Sequence, residues 1–138
     1  SYTIQVDHFA QADGQFCYFT MNNPAATALG DARAQKRENP LYWSAFRQSE
    51  REIAITMPPS YRQPLLMPRK FSWRSPGGGT IDFRCRPVGK TAAGAAEYLF
   101  TTRSNLIPAI ILPPQYPSLQ EALKTLQHPS MNSVLLGR

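Results

Sequence analysis

Residues 71–87 read Phe71-Ser72-Trp73-Arg74-Ser75-Pro76-Gly77-Gly78-Gly79-Thr80-Ile81-Asp82-Phe83-Arg84-Cys85-Arg86-Pro87. Two alternating runs flank three glycines, and glycine permits the positive φ angles that a hairpin loop needs. In a strand, successive side chains point to opposite faces. Phe71, Trp73, Ile81, Phe83 and Cys85 therefore share one side, which reads as core. Lys70, Arg74, Arg84 and Arg86 share the other, with Asp82 as the hairpin's only acid. Like charges opposed across strands repel. Four cations on one face call for an anionic partner: phosphate, an acidic protein surface, or glutamates elsewhere in the chain.

The rest of the chain surrounds this hairpin with further strands and a few helices. On the N-terminal side, residues 2–9 alternate as a strand, Ala12-Asp13-Gly14 has turn chemistry, and residues 16–21 form a second strand. Asn23-Pro24 opens a helix through a side-chain cap and an N-terminal proline, with Ala25, Ala28, Leu29 and Ala32 at helical spacing. Asn39-Pro40 repeats that signal. It predicts a second short helix over 41–49, with Leu41, Tyr42, Ala45 and Phe46 buried. Residues 53–57 form a strand that Pro58-Pro59 stops.

After the hairpin, residues 90–96 carry no clear pattern, and 97–102 read as a strand. Residues 106–112 are apolar but contain Pro108, which places the strand at an edge or a bulge. The last helix has the clearest pattern. Ser118 and Glu121 form a capping box, Leu119, Ala122, Leu123 and Leu126 make an apolar stripe, and Pro129 ends it. Residues 133–136 add a closing strand. The expected fold is a single α+β domain over 1–138. It has a largely antiparallel sheet of six to seven strands, two short helices in the first half and one capped helix near the C-terminus.

Charge is unevenly distributed. Between Arg33 and Lys90 lie twelve of the fifteen basic residues and four of the nine acidic ones. That stretch carries a formal +8 and the remainder −2. Eleven of the fifteen cations are arginine, whose planar fork suits phosphates, carboxylates and aromatic faces. Such asymmetry bears on partners rather than on fold. Arg62 lies in the same stretch, and Trp43 and Tyr61 could supply the stacking rings used for single-stranded nucleic acid. No recognition-module signature accompanies them.

No apolar run approaches the roughly 20 residues of a membrane span. The chain starts at Ser1, which reads as a processed or trimmed product. Cys17 and Cys85 either pair as a disulfide, as in an exported protein, or stay reduced as small buried hydrophobes. The low charge density and abundant Ser, Thr, Asn and Gln lean toward a periplasmic or extracellular setting.

The segment Ile53-Ala54-Ile55-Thr56-Met57-Pro58-Pro59-Ser60-Tyr61 resembles Pro108-Ala109-Ile110-Ile111-Leu112-Pro113-Pro114-Gln115-Tyr116. Both place an apolar strand before Pro-Pro-x-Tyr, a tetrapeptide that resembles the ligand motif of WW domains. The favoured expectation is structural: two equivalent strands end in stiff turns, each tyrosine folding back on the core. Pro76-Gly77-Gly78-Gly79 and Gly89-Lys90-Thr91 lack the spacing of a phosphate loop. His8 and His128 lie at no metal-ligand spacing, and no nucleophile elbow or paired-carboxylate motif is present. No cofactor or metal site is implied.

The sequence therefore points to a non-enzymatic binding domain that presents a basic hairpin face to nucleic acid or to an acidic protein surface. Lys70, Arg74, Arg84, Arg86 and Arg62 would bind the anion, and Trp43 and Tyr61 would make aromatic contacts. Two alternatives stand beside it. One is an exported subunit of a surface or secretion assembly, joined to its neighbours by strand addition through the proline-containing strand. The other is a small basic toxin-type nuclease using His8 or His128 with Glu97 or an arginine.

Overall fold

A computed structural model describes residues 9–23, 26, 29, 36–44, 46–90, 92 and 94–138. Its elements in chain order are β1 (Gln11–Ala12), β2 (Phe16–Thr20), β3 (Leu41–Trp43), β4 (Arg47–Thr56), β5 (Gln63–Leu66), β6 (Phe71–Arg74), β7 (Thr80–Lys90), β8 (Ala96–Leu106) and β9 (Ala109–Ile111). A 3-10 turn (Pro113–Gln115), helix α1 (Tyr116–Gln127), the single-turn helix α2 (Pro129–Asn132) and β10 (Ser133–Gly137) follow.

The mixed α+β character holds, but the expected single sheet of six to seven strands does not. The described strands form three antiparallel sheets, ordered β1-β2-β10-β5, β3-β9 and β4-β8-β7-β6. Two features split them. Pro108 lies between β8 and β9, so the apolar run 106–112 breaks, and β9 turns away to pair with β3. The last strand does not extend the long sheet. β10 inserts between β2 and β5, which makes it the centre of a sheet of its own.

The second helix of the first half is also overturned. Residues 41–43 and 47–49 enter β3 and β4 instead. Tyr42 keeps 70% and Phe46 63% of their surface exposed, while Leu41 packs against the core. The competing interaction is the ladder in which β4 pairs with β8 from Arg47↔Leu106 to Thr56↔Glu97. The first strand, 2–8, and most of the helix following Asn23 lie outside the described residues. β5 was not anticipated, because Pro64 within it argues against a strand; it is an edge strand.

The inner face of the long β4-β8-β7-β6 sheet carries two cores. Over one half lies the first sheet, where Cys17, Phe19, Val134 and Leu136 meet Phe83, Tyr98 and Phe100. Over the other half lie α1 and the β3–β9 ribbon, where Leu119, Leu123 and Leu126 meet Ile81, Leu106 and Trp43. The apolar stripe of α1 is the one expected, but its cap is not. The helix starts at Tyr116 with Gln115 as N-cap. Ser118 sits inside the first turn, where its Oγ accepts a hydrogen bond from Trp73 Nε1 at 3.2 Å.

Candidate anion-binding face

The hairpin of β6 and β7 is closed by Ser75, whose N–H donates to Gly79 O at 2.7 Å while its own carbonyl accepts from Gly78 N at 2.9 Å. Gly78 takes φ +95°, where a side chain would be strained. The loop is pressed against the β8–β9 connection. A Cβ at Gly77 would collide with Ala109, and one at Gly79 would lie 2.9 Å from the Asn105 carbonyl oxygen. The glycines therefore serve close approach as well as turn geometry.

The faces fall as alternation requires. Ile81 and Phe83 are buried and Phe71, Trp73 and Cys85 half-buried, while Lys70, Arg74, Arg84 and Arg86 are exposed. The sequence missed the rest of the face. β8 continues it with Arg103 and Thr101, and β4 with Glu50 and Glu52. The register sets Ser72, Asp82, Arg103 and Glu50 in one cross-strand row, and Arg84, Thr101 and Glu52 in the next. A hollow of about 260 Å³ opens among Glu52, Asp82, Arg84, Arg86, Thr101 and Arg103. β7 and β8 are consecutive antiparallel strands, and consecutive strands are usually neighbours. Applying that rule to the outward Arg103 would have found it.

Asp82 is thus not alone among acids, and the charges are sorted across the face. Glu50 accepts Arg103 Nε at 2.7 Å, and this carboxylate raises the Arg103 pKa, with smaller contributions from Glu52 and Asp82. Asp82 Oδ1 accepts from Ser72 Oγ at 2.7 Å. Among the described residues the Arg103–Glu50 contact is the only ion pair. Lys70, Arg74, Arg84 and Arg86 have none. Glu50 and Glu52 lie at the β4 margin and the unpaired cations on β6 and β7, with Asp82 among them.

No protein-family model, curated protein or solved structure matches this chain.

Three of the expected contact residues lie elsewhere. Arg62 donates from Nε to Pro59 O at 2.8 Å and from its amide to Gly137 O at 3.0 Å, which ties it to the edge of the first sheet. Trp43 is buried in the core beside α1, and Tyr61 is buried between the two large sheets. Neither offers a face for stacking a base. Tyr61 and Tyr116, the two Pro-Pro-x-Tyr tyrosines, both fold onto a core. An arginine covers each ring, Arg138 at 5.9 Å and Arg37 at 5.5 Å from the centroid.

Cys17 and Cys85 are free thiols on β2 and β7, both packed against the core between the large sheets. Burial pushes both thiols up, Cys85 to about 11, so neither is poised as a nucleophile. His128 is occupied locally: its Nδ1 lies 2.8 Å from Ser130 Oγ and accepts the Ser130 amide as the cap of α2. His8 lies outside the described residues. β9 bonds to β3 of its own chain along one edge, and no described strand pairs with its other edge.

Proposed function

We propose that this chain is a non-enzymatic binding domain that presents the outer face of its β6–β7 hairpin to an anionic partner. One observation supports the reading. Lys70, Arg74, Arg84 and Arg86 are exposed together, and the one ion pair among the described residues serves Arg103 instead. Like charges held on a stiff hairpin repel, and an anion relieves that repulsion. Arginine forks bind carboxylate or phosphate oxygens in charge-assisted pairs. Glu50 and Glu52 repel the same anion at the β4 margin and direct it toward β6 and β7.

The test is a salt-titrated binding series with two probes, polyglutamate and a single-stranded oligonucleotide, repeated on the double variant Arg84→Gln/Arg86→Gln. The expected result is affinity that falls with rising salt and a shallower salt slope for the double variant. If neither probe binds at low salt, or if affinity ignores both salt and the double variant, the reading is overturned.

A further inference from the structure

The two edges of the long β4-β8-β7-β6 sheet are built differently. At one edge, β4 is ten residues long, and its inward positions include Arg51, opposite buried Thr102. A charge pointing inward on an edge strand is a recognised device against pairing with another chain. The first sheet guards its edges too, with Pro64 in β5 and only two residues in β1. β6, four residues long, has neither a proline within it nor an inward charge.

β6 has three properties that together define an occupant. Among the described residues its backbone is open, since β7 pairs with one side and no strand with the other. The bond from Ser75 N–H to Gly79 O fixes the alternation. It turns the N–H and C=O groups of Trp73 and Phe71 toward β7 and leaves those of Ser72 and Arg74 facing out. The inward side chains at this edge, Phe71 and Trp73, are large, apolar and only half-buried. The outward charges, Lys70 and Arg74, are unpaired cations, and between them Asp82 sits behind Ser72 on β7 with its Oδ1 held by Ser72 Oγ.

We propose that the β6 edge takes an extended acidic segment of a partner protein as a fifth strand of the sheet. Main-chain bonds to Ser72 and Arg74 would hold the segment. Its inward side chains would be apolar, completing the cover of Phe71 and Trp73, and its outward ones acidic, facing Lys70 and Arg74. The matching pattern is strict apolar–acidic alternation over about five residues. This inference rests on the anion-binding reading and names the partner.

The test uses a capped heptapeptide alternating glutamate and valine. One control has the same composition with like residues grouped. Another has N-methylated amides at the positions that would bond to β6, and a third is a single-stranded oligonucleotide of equal charge. Binding is followed by the amide resonances and hydrogen-exchange protection of Ser72 and Arg74, and by affinity. The alternating peptide should protect both amides, and the grouped and N-methylated peptides should each bind about tenfold more weakly. Ser72→Pro removes one outward donor at an edge position that tolerates proline, and should weaken the alternating peptide by a larger factor than it changes polyglutamate binding. Equal binding by the N-methylated peptide, or shifts at Arg84 and Arg86 without protection at Ser72 and Arg74, overturns strand addition and leaves the anionic face standing. Tighter binding of the oligonucleotide than of the peptide overturns the choice of partner. If no polyanion binds at all, both readings fall.

Discussion

A single oxygen of Glu50 receives two donors from Arg103, Nε and Nη2, each at 2.7 Å. The pair lies on the outer face, where β4 and β8 set these residues directly opposite. Both side chains remain more than half exposed, at 55% and 64%. The contact therefore contributes little to stability but removes one cation from the face.

Glu50→Gln should separate these two roles. Exposed ion pairs contribute about 0.2–1 kcal/mol, so the denaturation midpoint should barely move. Freed of its partner, Arg103 joins the unpaired cations, and polyglutamate should bind more tightly at low salt with a steeper salt slope. Unchanged binding in a titration of the variant would show that the anionic partner never reaches Arg103.

Two glycines of β7 and its loop should respond oppositely to alanine. At Gly79 a Cβ would meet the backbone of Asn105 and Leu106, whereas at Gly89 it would meet nothing within 4 Å. Gly79→Ala should destabilise by about 1–3 kcal/mol as the loop is forced off β8. Gly89→Ala, at a register shift in β7, should lie within about 0.5 kcal/mol of the parent. Urea unfolding of both variants measures this.

Neighbouring aromatics on β3 make a sharper contrast. Trp43 is buried and Tyr42 is 70% exposed. Trp43→Ala should cost about 3–5 kcal/mol and Tyr42→Ala less than about 0.5. The helix expected over 41–49 would have buried Tyr42 and left Trp43 off its apolar face, reversing the two costs, so thermal unfolding of the two variants also tests the strand.

Thiol chemistry gives a pH-dependent expectation. Burial moves the Cys85 thiol from the ordinary 9.0 to about 11. Below pH 9 the thiol is neutral in both folded and unfolded chains, and its contribution to stability is complete. Between about pH 9 and 11 the unfolded chain loses the proton first, so stability falls. Cys85→Ala should remove that part of the alkaline loss in urea titrations at stepped pH. At neutral pH both cysteines should react slowly with a thiol reagent until denaturant is added.

Alternation was legible wherever a strand buries one face. The β6–β7 hairpin, its core-facing five residues and its outward cations were all in the order of Phe71 to Pro87. The stripe on α1 was equally plain. What alternation cannot give is which strand lies beside which. The outer face needed β8 and β4 before Arg103, Glu50 and Glu52 could be placed on it, and one sheet could not be told from three. At 41–49, Leu41, Tyr42, Ala45 and Phe46 satisfy helical spacing locally, and pairing of 41–43 with distant β9 and of 47–49 with β8 makes those parts extended. Trp43 and Tyr61 looked available because a sequence shows ring chemistry but not burial.

The position of β10 has a consequence for the order in which the molecule assembles. Thr20 opposes Ser133 and Phe16 opposes Gly137, so β2 meets its central neighbour only across more than a hundred intervening residues. Hairpins such as β6–β7 need only a short loop to close, whereas this contact must gather almost the whole chain. The sheet built on β10 should therefore be the slow step of refolding. Until it completes, β2 and β5 each hold out a bare edge on which two unfinished chains can stick together.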